Sequence, residues 1–223
     1  PPPSTSSLEK KKYPLLFVLH GAAQNEKDIW NLADIHGEHA GLPPSLISAG
    51  LAPSSLLDNF IVVAPYVGKG KRSFYEEPRN KAITFLNWMM HGDGRNTLPK
   101  HVEIDTQRIC LFGFSDGATC GVELLTSRKF HAAILAAYGF TGTLPPLALE
   151  RLVGIPMWVF HSADDVIFPV KCSDKLVDSL RQANAIQQTI DIIRYSRFDH
   201  DQEGFTGRVR GHSTGITASK LSE

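Results

Sequence analysis

Gly113-Phe114-Ser115-Asp116-Gly117 follows the apolar run Arg108-Ile109-Cys110-Leu111-Phe112 and precedes Ala118-Thr119-Cys120-Gly121-Val122-Glu123-Leu124-Leu125, a segment with a helical pattern. A G-x-S-x-G pentapeptide between a strand and a helix is the pattern of a nucleophile elbow. The backbone turns so tightly around the serine that larger flanking side chains would collide, so glycine stands on both sides. The turn lifts the Ser115 hydroxyl clear of the sheet and sets the Asp116 amide at a helix N-terminus, where negative charge is stabilised. Ser115 is therefore the candidate nucleophile, and Asp116 N–H is one candidate donor to an oxyanion.

Working outward, apolar runs alternate with helical patterns along the whole chain, the signature of parallel β-α-β units. The sequence predicts strands over 14–20, 60–65, 108–112, 132–138, 156–161 and 189–195. Helices are expected over 28–39, 80–90, 117–128, 170–183 and from 213 to the end. Residues 41–55, rich in Pro, Ser and Gly, read as a loop or a broken helix, and 92–96 as a loop. Near-continuous apolar strands fit an α/β fold whose central sheet is covered by helices on both faces. Residues 1–12 read as a flexible lead and 13–223 as one doubly wound domain.

A serine hydroxyl needs a base to take its proton and a third group to orient that base. In parallel α/β sheets such groups gather at the carboxyl ends of strands. The strand ending Trp158-Val159-Phe160 leads into His161-Ser162-Ala163-Asp164-Asp165-Val166-Ile167-Phe168-Pro169, so the acid is Asp164 or Asp165. The base should follow the last strand. His212 in Arg210-Gly211-His212-Ser213 fits, with Ser213 as a helix N-cap, and His200 among carboxylates is the rival. The order serine, acid, histidine is the one an elbow predicts. A second oxyanion donor belongs after the first strand, in His20-Gly21-Ala22-Ala23-Gln24, where Ala22 N–H is preferred and Ala23 is the alternative. His20 reads as a structural hydrogen-bonder. Tyr66, Phe74, Tyr75 and Phe168, on loops at strand ends, are candidates for an apolar substrate wall.

Composition narrows the possibilities. A length of 223 residues, 42% hydrophobic and 21% charged, is ordinary for a globular domain with a sizeable core. Basic and acidic side chains balance at 23 each, which leaves no basic field to hold nucleic acid. The longest apolar runs are about eight residues, far short of an integral membrane span. The N-terminal Pro1-Pro2-Pro3-Ser4 has neither the charged start nor the apolar middle of a signal peptide. Cys110, Cys120 and Cys172 follow no metal-ligand spacing, and their odd number leans toward a reducing compartment such as the cytoplasm.

Together, Pro14-Leu15-Leu16-Phe17-Val18-Leu19-His20-Gly21, Phe60-Ile61-Val62-Val63-Ala64-Pro65, Asp105-Thr106-Gln107-Arg108-Ile109, the elbow, the segment from Pro156 to Pro169, and Gly211-His212 resemble the α/β-hydrolase superfamily. The resemblance covers almost the entire chain. It is nearest to the small esterase branch that includes the phospholipase/carboxylesterase, dienelactone-hydrolase-like and predicted-peptidase groups. It implies the α/β-hydrolase fold and a serine hydrolase acting on small-molecule esters or thioesters without metal or organic cofactor. In that branch the acid is the fifth residue of a motif opening His-Gly and closing Val-Pro. The resemblance therefore implies Asp165 as the acid, with Phe168-Pro169 closing the motif, and His212 as the base. Three departures stand out: Ser162 where the branch has glycine, Ala118 where the elbow commonly continues with a second glycine, and no counterpart in residues 1–13 to the usual first strands. The alternative is a ligand-binding protein that keeps the same pocket without turnover.

Overall fold

The computed structural model describes residues 10–22, 28–36, 40–67, 74, 78–203 and 210–220. Among them the apolar runs form six strands: β1 (Lys11–Leu19), β2 (Ile61–Val63), β3 (Val102–Phe114), β4 (Ala132–Ala136), β5 (Met157–Ser162) and β6 (Ile193–Phe198). They assemble in the order β2-β1-β3-β4-β5-β6, every pair parallel. Helices α1 (Pro43–Ser48), α2 (Ser54–Leu57), α3 (Pro78–His91), α4 (Asp116–Leu125), α5 (Pro146–Leu152), α6 (Lys171–Ile186) and α7 (Thr214–Lys220) complete the described elements, with short 3-10 turns at Ile29–Leu32 and Asp93–Thr97.

Strand alternation divides the core in two. Leu15, Phe17 and Leu19 of β1 point to one face and pack in a cluster with Leu86 of α3, Leu125 of α4 and Leu176 of α6. Leu16 and Val18 point to the other, in a cluster with Leu46 of α1, Leu56 of α2 and Ala218 of α7. Both faces of the sheet are thus buried, which explains why the central strands carry apolar residues at successive positions.

Several boundaries differ from the sequence reading, each for a physical reason. Lys11 and Lys12 already pair in β1, with Val102 and Glu103, so the lead does not extend to residue 12. The β1–β3 register slips between Tyr13 and Leu15. There Pro14 has no N–H to donate, and Asp105 accepts hydrogen bonds from Gln107 N and Arg108 Nε in a local turn. β3 therefore runs well beyond 108–112. Of the helix expected over 28–39, the described residues 28–36 form only the turn Ile29–Leu32. Asp28 caps it, Ile29 and Trp30 are exposed, and Asp34 turns its carboxylate back to His36 N, a bond that competes with helix continuation. Residues 41–55 are the broken helix, as α1 and α2. Helix α5 has no counterpart among the expected helices; it begins on proline, which the first helical turn tolerates. β6 is displaced from 189–195 to Ile193–Phe198: Ile190 is exposed, and this edge strand alternates polar with apolar residues rather than following a continuous apolar run.

Candidate active site

Ser115, the N-cap of α4, sits between β3 and that helix with φ 56° and ψ −119°, a left-handed conformation rare outside glycine. Its amide bonds to Ala136 O at 2.9 Å, and its carbonyl accepts from Ala118 N and Thr119 N. The glycines are sterically required. A Cβ on Gly113 would lie 2.7 Å from Ala118 Cα, and one on Gly117 would overlap the Leu19 carbonyl. Ala118 is fully buried and fits without a second glycine.

His212, one residue past Gly211 and two before α7, meets the elbow: its Nε2 is 2.8 Å from Ser115 Oγ. Its Nδ1 is 2.8 Å from Asp165 Oδ2. The residues alone left Asp164 and Asp165 open, and the two now separate. Asp164 accepts from Ser162 Oγ and lies 3.9 Å from Arg210 Nε, whereas Asp165 faces the imidazole. The serine that replaces the branch's glycine is fully buried and braces the acid-bearing loop. His200 is exposed and does not join this series.

Asp165 is buried, and four donors surround its carboxylate. Oδ1 accepts from Ile167 N at 2.8 Å and Phe168 N at 2.9 Å; Oδ2 faces His212 Nδ1 and, at 3.2 Å, His161 Nε2. Burial opposes its ionisation. Hydrogen bonds from His161 and His212, the nearby His212 charge and the Phe168 amide outweigh it, holding the carboxyl well below the usual carboxylate range.

Neighbouring groups fix the turn that carries His212. Asp201 accepts from Gly211 N through Oδ2 (2.8 Å) and from Ser213 Oγ through Oδ1 (2.6 Å), gripping the chain on both sides of the histidine. Arg210 O accepts from Val166 N. Gly211 has φ 74°, and a Cβ there would overlap the Asp164–Asp165 peptide. The His212 ring lies between those of Phe114 (5.3 Å between centroids) and Phe168 (5.5 Å, edge-on).

On the other side of the elbow, His20 is buried. Its Nδ1 donates to Gly21 O at 2.8 Å and its Nε2 accepts from Val67 N at 3.3 Å, tying the segment after β1 to the segment after β2. Burial drives its pKa down to about 4, against a smaller opposing effect of the Gly21 carbonyl. Ala22 follows, exposed. The Asp116 carboxylate accepts from Phe74 N at 2.7 Å. Phe74 is only 2% exposed and packs in the larger core cluster, its ring tilted 53° to that of His20 with centroids 4.8 Å apart. Tyr66 packs against the same imidazole and is partly exposed, as is Phe168. Tyr75 and Ala23 lie outside the described residues.

The roles of Asp201, His161 and the Asp116 side chain escaped the sequence reading. A carboxylate beside His200 gave no sign that it would reach the residues flanking His212. Among the described residues, no group of three or more His, Cys, Asp or Glu side chains converges to hold a metal ion, and no helix is long and apolar enough to cross a membrane.

No protein-family model matches the sequence, and no curated protein matches it. Solved structures do. A thermostable esterase superposes with TM-score 0.66 at 23% identity over 98% of this chain and 54% of its own, so this chain spans about half the length of that esterase. The carboxylesterase Cest-2923 from Lactobacillus plantarum WCFS1 matches with TM-score 0.57 at 16% identity, over 96% of this chain and 88% of its own. MGS-M1, an α/β-hydrolase enzyme from a Medee basin deep-sea metagenome library, matches with TM-score 0.55 at 18% identity, over 84% and 68%. At such identities the likeness speaks to architecture, and it agrees with the parallel sheet and the strand–serine–helix turn: this chain adopts the α/β-hydrolase fold.

Proposed function

We propose that the protein is a serine hydrolase that cleaves carboxylic ester or thioester bonds of small to medium acyl substrates. One observation carries the reading: the continuous hydrogen-bonded series Asp165–His212–Ser115, with the serine at a left-handed strand-to-helix turn. The esterase and carboxylesterase names of the structural neighbours favour the same chemistry.

In the proposed reaction Ser115 Oγ attacks the acyl carbonyl carbon while His212 Nε2 takes its proton. Asp165, ionised and hydrogen-bonded to Nδ1–H, holds the imidazole in that tautomer and stabilises the imidazolium. The Asp116 and Ala22 amides receive the oxyanion, and loss of one such donor typically costs about 3 kcal/mol of transition-state stabilisation. His212 then protonates the leaving alcohol or thiol, and the acyl-enzyme is hydrolysed by water that His212 activates in turn. His20 sets the oxyanion segment by holding Gly21 O. Tyr66 and Phe168 form the wall for an apolar acyl group. Phe140, Val166 and Ile167, exposed at the carboxyl ends of β4 and β5, extend that apolar rim.

Fluorophosphonate labelling with peptide mapping, combined with turnover of p-nitrophenyl esters of increasing chain length, tests the reading. Stoichiometric modification of Ser115 together with ester turnover is the expected outcome. A folded protein that neither labels nor turns over esters would be a ligand-binding member of the fold instead.

A further inference from the structure

The acid of the proposed series has a second imidazole on it. His161, the penultimate residue of β5, is buried to 0% exposure, as is the side chain of Asp165. His161 Nε2 lies 3.0 Å from Phe168 O and 3.2 Å from Asp165 Oδ2, and its Nδ1 lies 2.7 Å from Ser173 Oγ in α6. Phe168 O can only accept, so the ring proton belongs on Nε2, shared between the carbonyl and the carboxylate. Nδ1 then accepts from the Ser173 hydroxyl. Each nitrogen has a partner, and the ring has one orientation that satisfies both.

A carboxylate offers about four acceptor positions. In Asp165 two are taken by the Ile167 and Phe168 amides on Oδ1. The other two, on Oδ2, go to His161 and His212. With His161 in place, Oδ2 has one direction left, and it points at His212 Nδ1.

We propose that His161 is a positioning residue that aims Asp165 Oδ2 at His212 and, by sharing that oxygen's negative charge, tempers the basicity of His212 toward Ser115. The proposal rests on the reading of Ser115, His212 and Asp165 as the reacting series. Removing the His161 donor leaves more charge on Oδ2 facing His212, which favours the imidazolium. The acid limb of the pH–rate profile then moves to higher pH, while the loosened carboxylate lowers kcat. Among the described residues, the titratable groups interacting with Asp165 are His161, His212 and the Cys172 thiol, whose pKa burial raises. His212 faces Asp165 and the Ser115 hydroxyl, with the apolar rings of Phe114 and Phe168 on its flanks.

The test compares His161→Leu, which fills the site without a donor, with His161→Gln, which keeps an amide N–H. Both are made in the whole chain. kcat, KM and the pH profile of kcat/KM for a p-nitrophenyl ester are measured, together with the low-field proton resonance of the His212 Nδ1–H. The leucine variant should lose on the order of 10- to 100-fold in kcat with little change in KM. Its acid limb should move to higher pH and its resonance should shift, and glutamine should recover most of each. A folded leucine variant with wild-type kcat and an unmoved acid limb overturns the proposal. So does a glutamine variant no better than leucine in the pH profile. If the leucine variant does not fold, Ser173→Ala releases Nδ1 at small cost in volume; a smaller shift of the acid limb in the same direction supports the proposal, and none overturns it. Failure of wild-type Ser115 to label defeats the proposed function itself; normal labelling with an indifferent His161 defeats this inference alone.

Discussion

Ser115 is held mainly by residues close to it in sequence, whereas His212 is held by residues from two distant segments. The elbow needs Gly113, Gly117 and the start of α4, all within a few positions of the serine, plus an amide bond to Ala136 and the close approach of Gly117 to the Leu19 carbonyl of β1. The histidine turn needs Asp201 on Gly211 and Ser213, Val166 on Arg210, and Asp165 on the ring itself. The first region is a backbone geometry that a short motif imposes. The second is a convergence of loops, and its accuracy depends on carboxylates placed by the rest of the fold.

The largest expected effects treat both regions alike. Ser115→Ala and His212→Ala should each lower ester turnover by roughly five to six orders of magnitude, because members of such a series act as a unit. Circular dichroism should show both variants folded. A His212→Ala variant retaining more than a hundredth of wild-type kcat would remove His212 from the role of base.

On the elbow side, His20 makes stability depend on pH. Its imidazole has a pKa of about 4 in the fold against 6.5 for the free side chain. Between those values the unfolded chain binds the extra proton. The His20 contribution is therefore complete above about pH 6.5 and is lost as pH falls toward 4, by about 3 kcal/mol. Urea midpoints at pH 7.5 and 4 should show this loss in the wild type and a smaller one in His20→Gln. Equal losses in the two proteins would place the slope elsewhere.

The histidine side should be sensitive to a residue that never touches the reacting atoms. Asp201→Ala removes the acceptor for Gly211 N and Ser213 Oγ together, and kcat should fall on the order of 10- to 100-fold with KM nearly unchanged. A kcat within twofold of wild type would mean that the positive φ of Gly211 suffices to aim the ring. The smallest effect belongs next door: His200→Ala should cost less than about tenfold, since that side chain is exposed. A larger loss than that of Asp201→Ala would reverse the roles assigned to these neighbours.

Legibility in the sequence followed the same division. The elbow could be read because the glycines that meet its steric demands stand beside the serine in sequence, and β1, β3, β4 and β5 because strands buried on both faces must be apolar at nearly every position. Edge strand β6 was displaced, since an exposed edge carries no such run, and α5 was missed where prolines begin a helix. Asp165 was separated from Asp164 by a motif resemblance and not by local chemistry; two adjacent aspartates differ only in which of them the loop turns inward.

The sequence by itself determined the serine turn, the parallel character of a doubly wound sheet and the three residue types that meet at its carboxyl edge, because periodicity and glycine placement are properties of neighbouring residues. Only the tertiary structure decided that Asp165 carries four donors, that Asp201 grips both sides of His212, and that Phe74 packs against the His20 ring. Hydrogen bonds between loops distant in sequence depend on where several strand ends come to rest together, and no local pattern encodes that position.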